Sequence, residues 1–211
     1  MSTLVGKPAP DFSAQAVING EIVKDFTLSQ YKGKKYVLLF FYPKDFSLVC
    51  PVELVEFQKL LPEFEKRGVQ VVGCSTDSEL SHLAWVNTPH SKGGVGGVTY
   101  PLVSDINKTI AVNYGTLAGT RTTDAAGKLT ITGELIAYRG AFLIDKNGIV
   151  RHEVINDFVL VRSVEDELRT IDSLQHFEQF GEFCPMSWKK GEKAVKLTGE
   201  SLADYLTKGD K

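Results

Sequence analysis

Residues 36–42 read Tyr-Val-Leu-Leu-Phe-Phe-Tyr, an unbroken apolar run of strand length. A run of this kind predicts a strand covered on both faces. Residues 69–75, Val-Gln-Val-Val-Gly-Cys-Ser, predict a second strand. Between them, 51–67 carries apolar residues at Leu54, Phe57, Leu60, Leu61 and Phe64, close to helical spacing. Strand, helix and strand in that order imply a parallel pair with a right-handed crossover. Residues 78–86 predict a short helix ended by the glycines of 93–97. Residues 138–145 and 149–155 predict two strands flanking Lys146-Asn147-Gly148, whose Asn-Gly step signals a hairpin. Residues 163–177 open with Ser163, Glu165 and Asp166 and place Val164, Leu168, Ile171 and Leu174 on one side, a capped amphipathic helix. The pattern is α/β, a mixed central sheet flanked by helices.

Two stretches do not follow these periods. Residues 116–134 are polar and punctuated by glycine, which predicts an exposed loop or a small hairpin. From Gly181 onward the chain is rich in Lys and Gly, which predicts a tail lying on another surface. The formal net charge of −2 offers no footprint for a nucleic acid or membrane partner. The apolar runs are too short to span a bilayer. The opening residues MSTLVGKPAPDF lack a basic segment followed by an apolar one, so a cytosolic location is expected.

Three cysteines, Cys50, Cys74 and Cys184, match no zinc spacing and form no C-x-x-C pair. They are inert buried thiols, or one is a nucleophile with a distant partner. Cys74 lies inside the apolar strand 69–75 and reads as a core residue. Cys50 differs, because Pro51 follows it and a helix is predicted to start there. Proline suits the first helical turn, where its missing N–H has no partner to lose. Cys50 is therefore predicted to sit among orphan backbone N–H groups at the positive end of a helix dipole. That setting favours a thiolate, the nucleophilic form of cysteine. Helix-end effects supply only about 0.3–1 kcal/mol, so full activation also calls for a nearby cation.

The residues Pro43, Ser47 and Cys50 stand in the pattern P-x-x-x-[TS]-x-x-C, and the segment resembles the active site of the two-cysteine peroxiredoxins, the alkyl hydroperoxide reductase C and thiol-specific antioxidant family. Further matches extend over nearly the whole chain, including Gly6–Phe12 as GKPAPDF, Thr76-Asp77-Ser78 and His82-Leu83-Ala84-Trp85. The resemblance implies a thioredoxin-like fold with a C-terminal extension: a peroxidase domain over 4–165, and a helix and tail over 166–211 carrying Cys184. It implies that Cys50 reduces hydroperoxides, that Ser47 hydrogen-bonds the peroxide and the cysteine sulfur, and that Pro43 shields the pocket from water. Arg139, in Ala137-Tyr138-Arg139-Gly140, matches the family's active-site arginine, and Arg162 a second arginine expected to orient the first through Glu53. Cys184, in Gly181-Glu182-Phe183-Cys184-Pro185, matches the resolving cysteine, which attacks the oxidised Cys50 of a partner subunit.

The same resemblance implies no metal or organic cofactor, recycling by a thioredoxin-like or other dithiol reductant, and a homodimer. It also implies a ring of five dimers, joined through a face that includes Trp85 and its helical neighbours, with Phe46 in the adjoining loop. The four histidines sit in unrelated contexts with no catalytic or metal role expected, and His82, in the matched helix, reads as structural. A one-cysteine enzyme with Cys184 incidental, and a ring-forming chaperone or peroxide relay, stay open as alternatives.

Overall fold

The computed structural model describes residues 3–209. The chain divides into two compact units, one ending at Arg162 and one beginning at Ser163. In the first, the strands are β1 (Ser13–Ile18), β2 (Glu21–Thr27), β3 (Tyr36–Phe41), β4 (Val69–Ser75), β5 (Leu102–Ser104), β6 (Thr120–Thr123), β7 (Leu129–Thr132), β8 (Arg139–Ile144) and β9 (Val150–Asn156). Its α-helices are α1 (Cys50–Lys59), α2 (Leu61–Lys66), α3 (Glu79–Val86) and α4 (Thr109–Asn113).

Seven strands form one mixed sheet in the order β2-β1-β5-β4-β3-β8-β9. The predicted crossover is present, since β3 pairs parallel to β4 with Tyr36 opposite Val69 and Phe41 opposite Cys74. All six residues of β3 are buried, as expected of a central strand with both faces covered. On one face, Phe40 stacks on Phe57 of α1 with ring centroids 4.4 Å apart. On the other, Phe41 meets Tyr114 and Phe142 at 5.4 and 5.8 Å. Each fully buried Phe of this kind contributes about 1.5–3 kcal/mol.

Several elements differ from the sequence expectation. The single helix over 51–67 is two helices meeting at Leu60, whose backbone lies at φ −93° and ψ 3°. Pro62 explains the break, because it has no N–H to continue the helical ladder and its ring crowds the preceding turn. A hairpin of β1 and β2 was not anticipated. Its turn is Asn19-Gly20, both left-handed at φ 51° and 77°, the geometry a tight two-residue connection between twisted strands requires. The 116–134 segment, by contrast, agrees with one of its two expected forms: it is a two-stranded hairpin of β6 and β7, and every residue of both strands is exposed.

The second unit holds α5 (Val164–Phe180), β10 (Glu182–Phe183), β11 (Val195–Lys196) and α6 (Gly199–Gly209). Helix α5 starts as predicted, with the Ser163 side chain accepting from the Asp166 N–H, and ends at Gly181 with φ 66°. The segment expected to be a tail contains the β10–β11 pair and α6, where Leu202, Tyr205 and Leu206 fall at helical spacing. Among the described residues no helix is long and apolar enough to cross a membrane.

Candidate active site

Strand β3 delivers the chain to the site and α1 carries it away. Beyond β3, the Tyr42 N–H still bonds the Cys74 carbonyl at 3.1 Å, and residues 43–49 then form a loop. Pro43 is buried at its base. Asp45 anchors its middle, with the backbone N–H donating to Asp77 Oδ2 at 3.0 Å and the carboxylate accepting from Tyr42 Oη at 2.9 Å. His82 Nδ1 lies 2.8 Å from the same carboxylate. With these anchors in place, Phe46 is held at φ 52°, a conformation that costs a bulky residue of order 1–3 kcal/mol. Its ring is half exposed and lies 5.9 Å from Trp85. Trp85, expected at a ring-building face, is fully buried in the chain and donates its indole N–H to Gly93 O at 3.0 Å, so Phe46 is the aromatic that this loop presents outward.

Helix α1 begins at Cys50 with Pro51 in its first turn, as predicted. The Cys50 side chain is fully buried. Ser47 sits three residues back and accepts the Cys50 backbone N–H at 3.1 Å. The bond observed at Ser47 runs to the amide, with the hydroxyl oxygen as acceptor. It satisfies one of the donors a helix start leaves free, and it fixes the hydroxyl beside the cysteine.

Glu53, one helical turn beyond Cys50, is the hub of the charged groups. Its Oε1 accepts from the Arg162 backbone N–H and Nε, both at 3.0 Å, and its Oε2 accepts from Arg162 Nη2 at 3.1 Å. Arg139 Nη1 also donates to Oε2. The same Nη1 stands 3.6 Å from Cys50 Sγ, and Arg139 Nε donates to the Phe158 carbonyl at 2.7 Å. Arg162 Nη1 spends its remaining donors on the carbonyls of Phe41 and Gly140, at 2.8 and 2.6 Å. All three charged side chains are buried.

Two guanidinium groups against one carboxylate leave one uncompensated positive charge beside the sulfur. Buried charges are costly unless paired, and besides Glu53 the Arg139 Nη1 faces the Cys50 sulfur. The five residues Ser47, Cys50, Glu53, Arg139 and Arg162 thus converge on one spot. The acceptors at Phe41, Gly140 and Phe158 had no sequence signal, because they are backbone carbonyls.

Against this geometry, the sequence profile of the AhpC/TSA family matches residues 5–153. The chain belongs to that family. It is 48% identical over 204 residues to the alkyl hydroperoxide reductase C of Helicobacter pylori, covering 96% of both chains. It is 43% identical to peroxiredoxin-2 of Cricetulus griseus, covering 97% of this chain and 96% of the other. The crystal structure of the reduced Plasmodium vivax 2-Cys peroxiredoxin superposes with a TM-score of 0.87 at 42% identity, over 98% of this chain and all (100%) of that one. The helix-flanked mixed sheet is therefore the thioredoxin-like fold of the peroxiredoxins, and this family member is a thiol-dependent peroxidase with an antioxidant function.

The other two cysteines lie in different surroundings. Cys74 is fully buried in β4, where burial and then the charge of Asp105 push its thiol well above the usual range. It is a neutral core thiol. Cys184 belongs to the second unit, follows β10 and is partly buried, with Sγ 4.0 Å from the Ser173 carbonyl. Burial raises its thiol as well, against a smaller opposing effect of the Ser173 contact.

Proposed function

We propose that Cys50 is the peroxide-reactive nucleophile and that Cys184 of a partner subunit resolves its oxidised form. The observation that carries the reading is the Arg139 Nη1 contact to Cys50 Sγ, inside a buried cluster with one positive charge in excess. The Cys50 thiolate attacks the terminal oxygen of a hydroperoxide. An S–O bond forms as the O–O bond breaks; sulfur loses two electrons to the peroxide, and the departing oxygen takes a proton to leave as water or an alcohol. Arg139 donors, the Ser47 hydroxyl and N–H groups at the start of α1 stabilise charge on the separating oxygens, an interaction strongest in the transition state. Pro43, buried behind the loop, helps to exclude water. Glu53 and Arg162 are positioning residues, because they hold Arg139 rather than touch the reacting atoms.

The product is Cys50 sulfenic acid. The Cys184 thiolate attacks its sulfur, forming a disulfide between subunits as the S–O bond breaks and the departing hydroxide takes a proton to leave as water. Cys50 is fully buried at the head of α1, so the first turn of that helix opens for the step, a local order-to-disorder change. A dithiol reductant of the thioredoxin kind restores both thiols by exchange. The cycle needs no metal or organic cofactor. It suits a reducing compartment such as the cytosol. The half-exposed Phe46, strained over buried Trp85, supports assembly of dimers into a ring through this loop.

The test is Cys50→Ser, assayed for hydrogen peroxide consumption with dithiothreitol as the dithiol. Turnover is expected to fall to background with the fold retained, because a serine hydroxyl offers almost no alkoxide at neutral pH. Substantial residual turnover would assign the chemistry to another cysteine.

A further inference from the structure

Arg139 touches the sulfur through Nη1, and the orientation of a planar guanidinium is set by all that its nitrogens bind. One anchor is Glu53, which takes a hydrogen bond from the same Nη1. The other is the Phe158 carbonyl, 2.7 Å from Nε. Phe158 lies in the loop after β9, far from Arg139 in sequence, and something must hold its backbone in register with the start of β8.

The tie is an aromatic pair. The Phe158 ring stacks on Tyr138 with centroids 4.8 Å apart and planes 25° from parallel. Tyr138 is the residue next to Arg139. The alternation that would send their side chains to opposite faces is interrupted, because the Gly140 N–H closes a three-residue turn onto the Tyr138 carbonyl at 2.9 Å. Only glycine fits there, since a Cβ at 140 would meet Thr116 Cγ2 at 2.6 Å. Tyr138 is itself fixed by its N–H to the carbonyl of buried Thr116 at 2.7 Å. On the other side, the Phe158 N–H is held by Asp157 Oδ1 at 2.7 Å. Both rings are half-buried rather than part of the main core, so their contact can be altered without emptying it.

We propose that Phe158 is a positioning residue for peroxide reduction: its stack on Tyr138 holds its carbonyl on Arg139 Nε and so keeps Nη1 on the Cys50 sulfur. This deepens, and rests on, the assignment of Cys50 as the nucleophile and Arg139 as its cation. Without the stack, the loop carbonyl wanders and the guanidinium keeps only its Glu53 anchor. Small misplacements of a reacting pair cost on the order of 10- to 100-fold in rate.

The experiment is a double-mutant cycle on the rate of reaction of reduced protein with hydrogen peroxide, using Phe158→Ala, Arg139→Ala and the double variant. The pH profile of Cys50 alkylation by iodoacetamide is recorded beside it, since a purely structural role for Phe158 would not move that profile. Phe158→Ala is expected to slow the peroxide step about 10-fold or more and to shift alkylation to higher pH. It should add nothing in the Arg139→Ala background, and Phe158→Tyr, which keeps the ring, should restore the rate. If Phe158→Ala fails to fold, Tyr138→Leu removes the same stack from its other side and carries the same comparison. An unchanged rate and profile would overturn the positioning role while leaving the Arg139 assignment intact. Equal slowing in both backgrounds would do the same. A wild-type rate in Arg139→Ala would overturn the Arg139 assignment, and the role of Phe158 with it.

Discussion

Arg162 binds Glu53 three times, through its backbone N–H and two guanidinium nitrogens, all within 3.0–3.1 Å. That grip leaves Oε2 still able to serve Arg139. Glu53 is therefore what allows two buried cations to share one carboxylate, with Arg139 next to Cys50.

Glu53→Gln should expose this dependence. A neutral amide would leave both guanidinium groups uncompensated, and removing one partner of a buried ion pair costs about 3–5 kcal/mol. A urea melt of the reduced protein is expected to show that loss. A wild-type midpoint would mean that water or another anion already compensates the arginines.

His82 offers a separate test through pH. Its Nδ1 faces Asp45 Oδ2 at 2.8 Å and its Nε2 faces the Val103 carbonyl at 3.2 Å, so both ring nitrogens meet acceptors. Burial disfavours the charged ring, but the Asp45 hydrogen bond and charge, the Val103 carbonyl and the charge of Asp77 outweigh it, and the His82 value is raised. The imidazolium then contributes stability that is complete below the unfolded value of about 6.5 and is lost as pH rises through the higher folded value. Melting temperature should fall over that range in the wild type, and His82→Gln should flatten the fall. A slope that survives in His82→Gln would assign it to another group.

Legibility in the sequence followed the range of the signal. The start of α1 was legible because Cys50-Pro51 follows the apolar run of β3 after one short loop, so local pattern and chemistry coincide. Arg139 and Arg162 emerged only through the family resemblance, since an isolated arginine carries no sign of where its guanidinium goes. The Asp45–His82 pair was not foreseen, because the partners lie 37 residues apart and are joined by the packing of α3 beside the loop. The β1–β2 hairpin was overlooked despite Asn19-Gly20, as its flanking strands alternate weakly. Strand β5 is only 3 residues long, too short to show a period. The carbonyls of Phe41, Gly140 and Phe158 could not be read at all, because every residue has one and only the fold selects among them.

The resolving step is checked by non-reducing electrophoresis after peroxide. Wild type should run as a disulfide-linked dimer and Cys184→Ser as a monomer, with peptide mapping joining Cys50 to Cys184. An intrachain bridge, or one through Cys74, would contradict the proposed partner.

Assembly is checked by sedimentation. Reduced protein is expected to be much larger than a dimer, with Phe46→Ala and oxidation each loosening it toward dimers. A dimer in every state would remove the ring, and a ring that ignores oxidation would separate it from the Cys50 helix.

The central claim is that peroxide oxygen goes to Cys50. The most direct measurement gives reduced Cys184→Ser protein one equivalent of hydrogen peroxide, traps sulfenic acid with dimedone and maps the adduct by mass spectrometry. The adduct is expected on Cys50, and Arg139→Ala should lower its yield at short times. An adduct on Cys74, or peroxide consumed with Cys50 unmodified, would contradict the account.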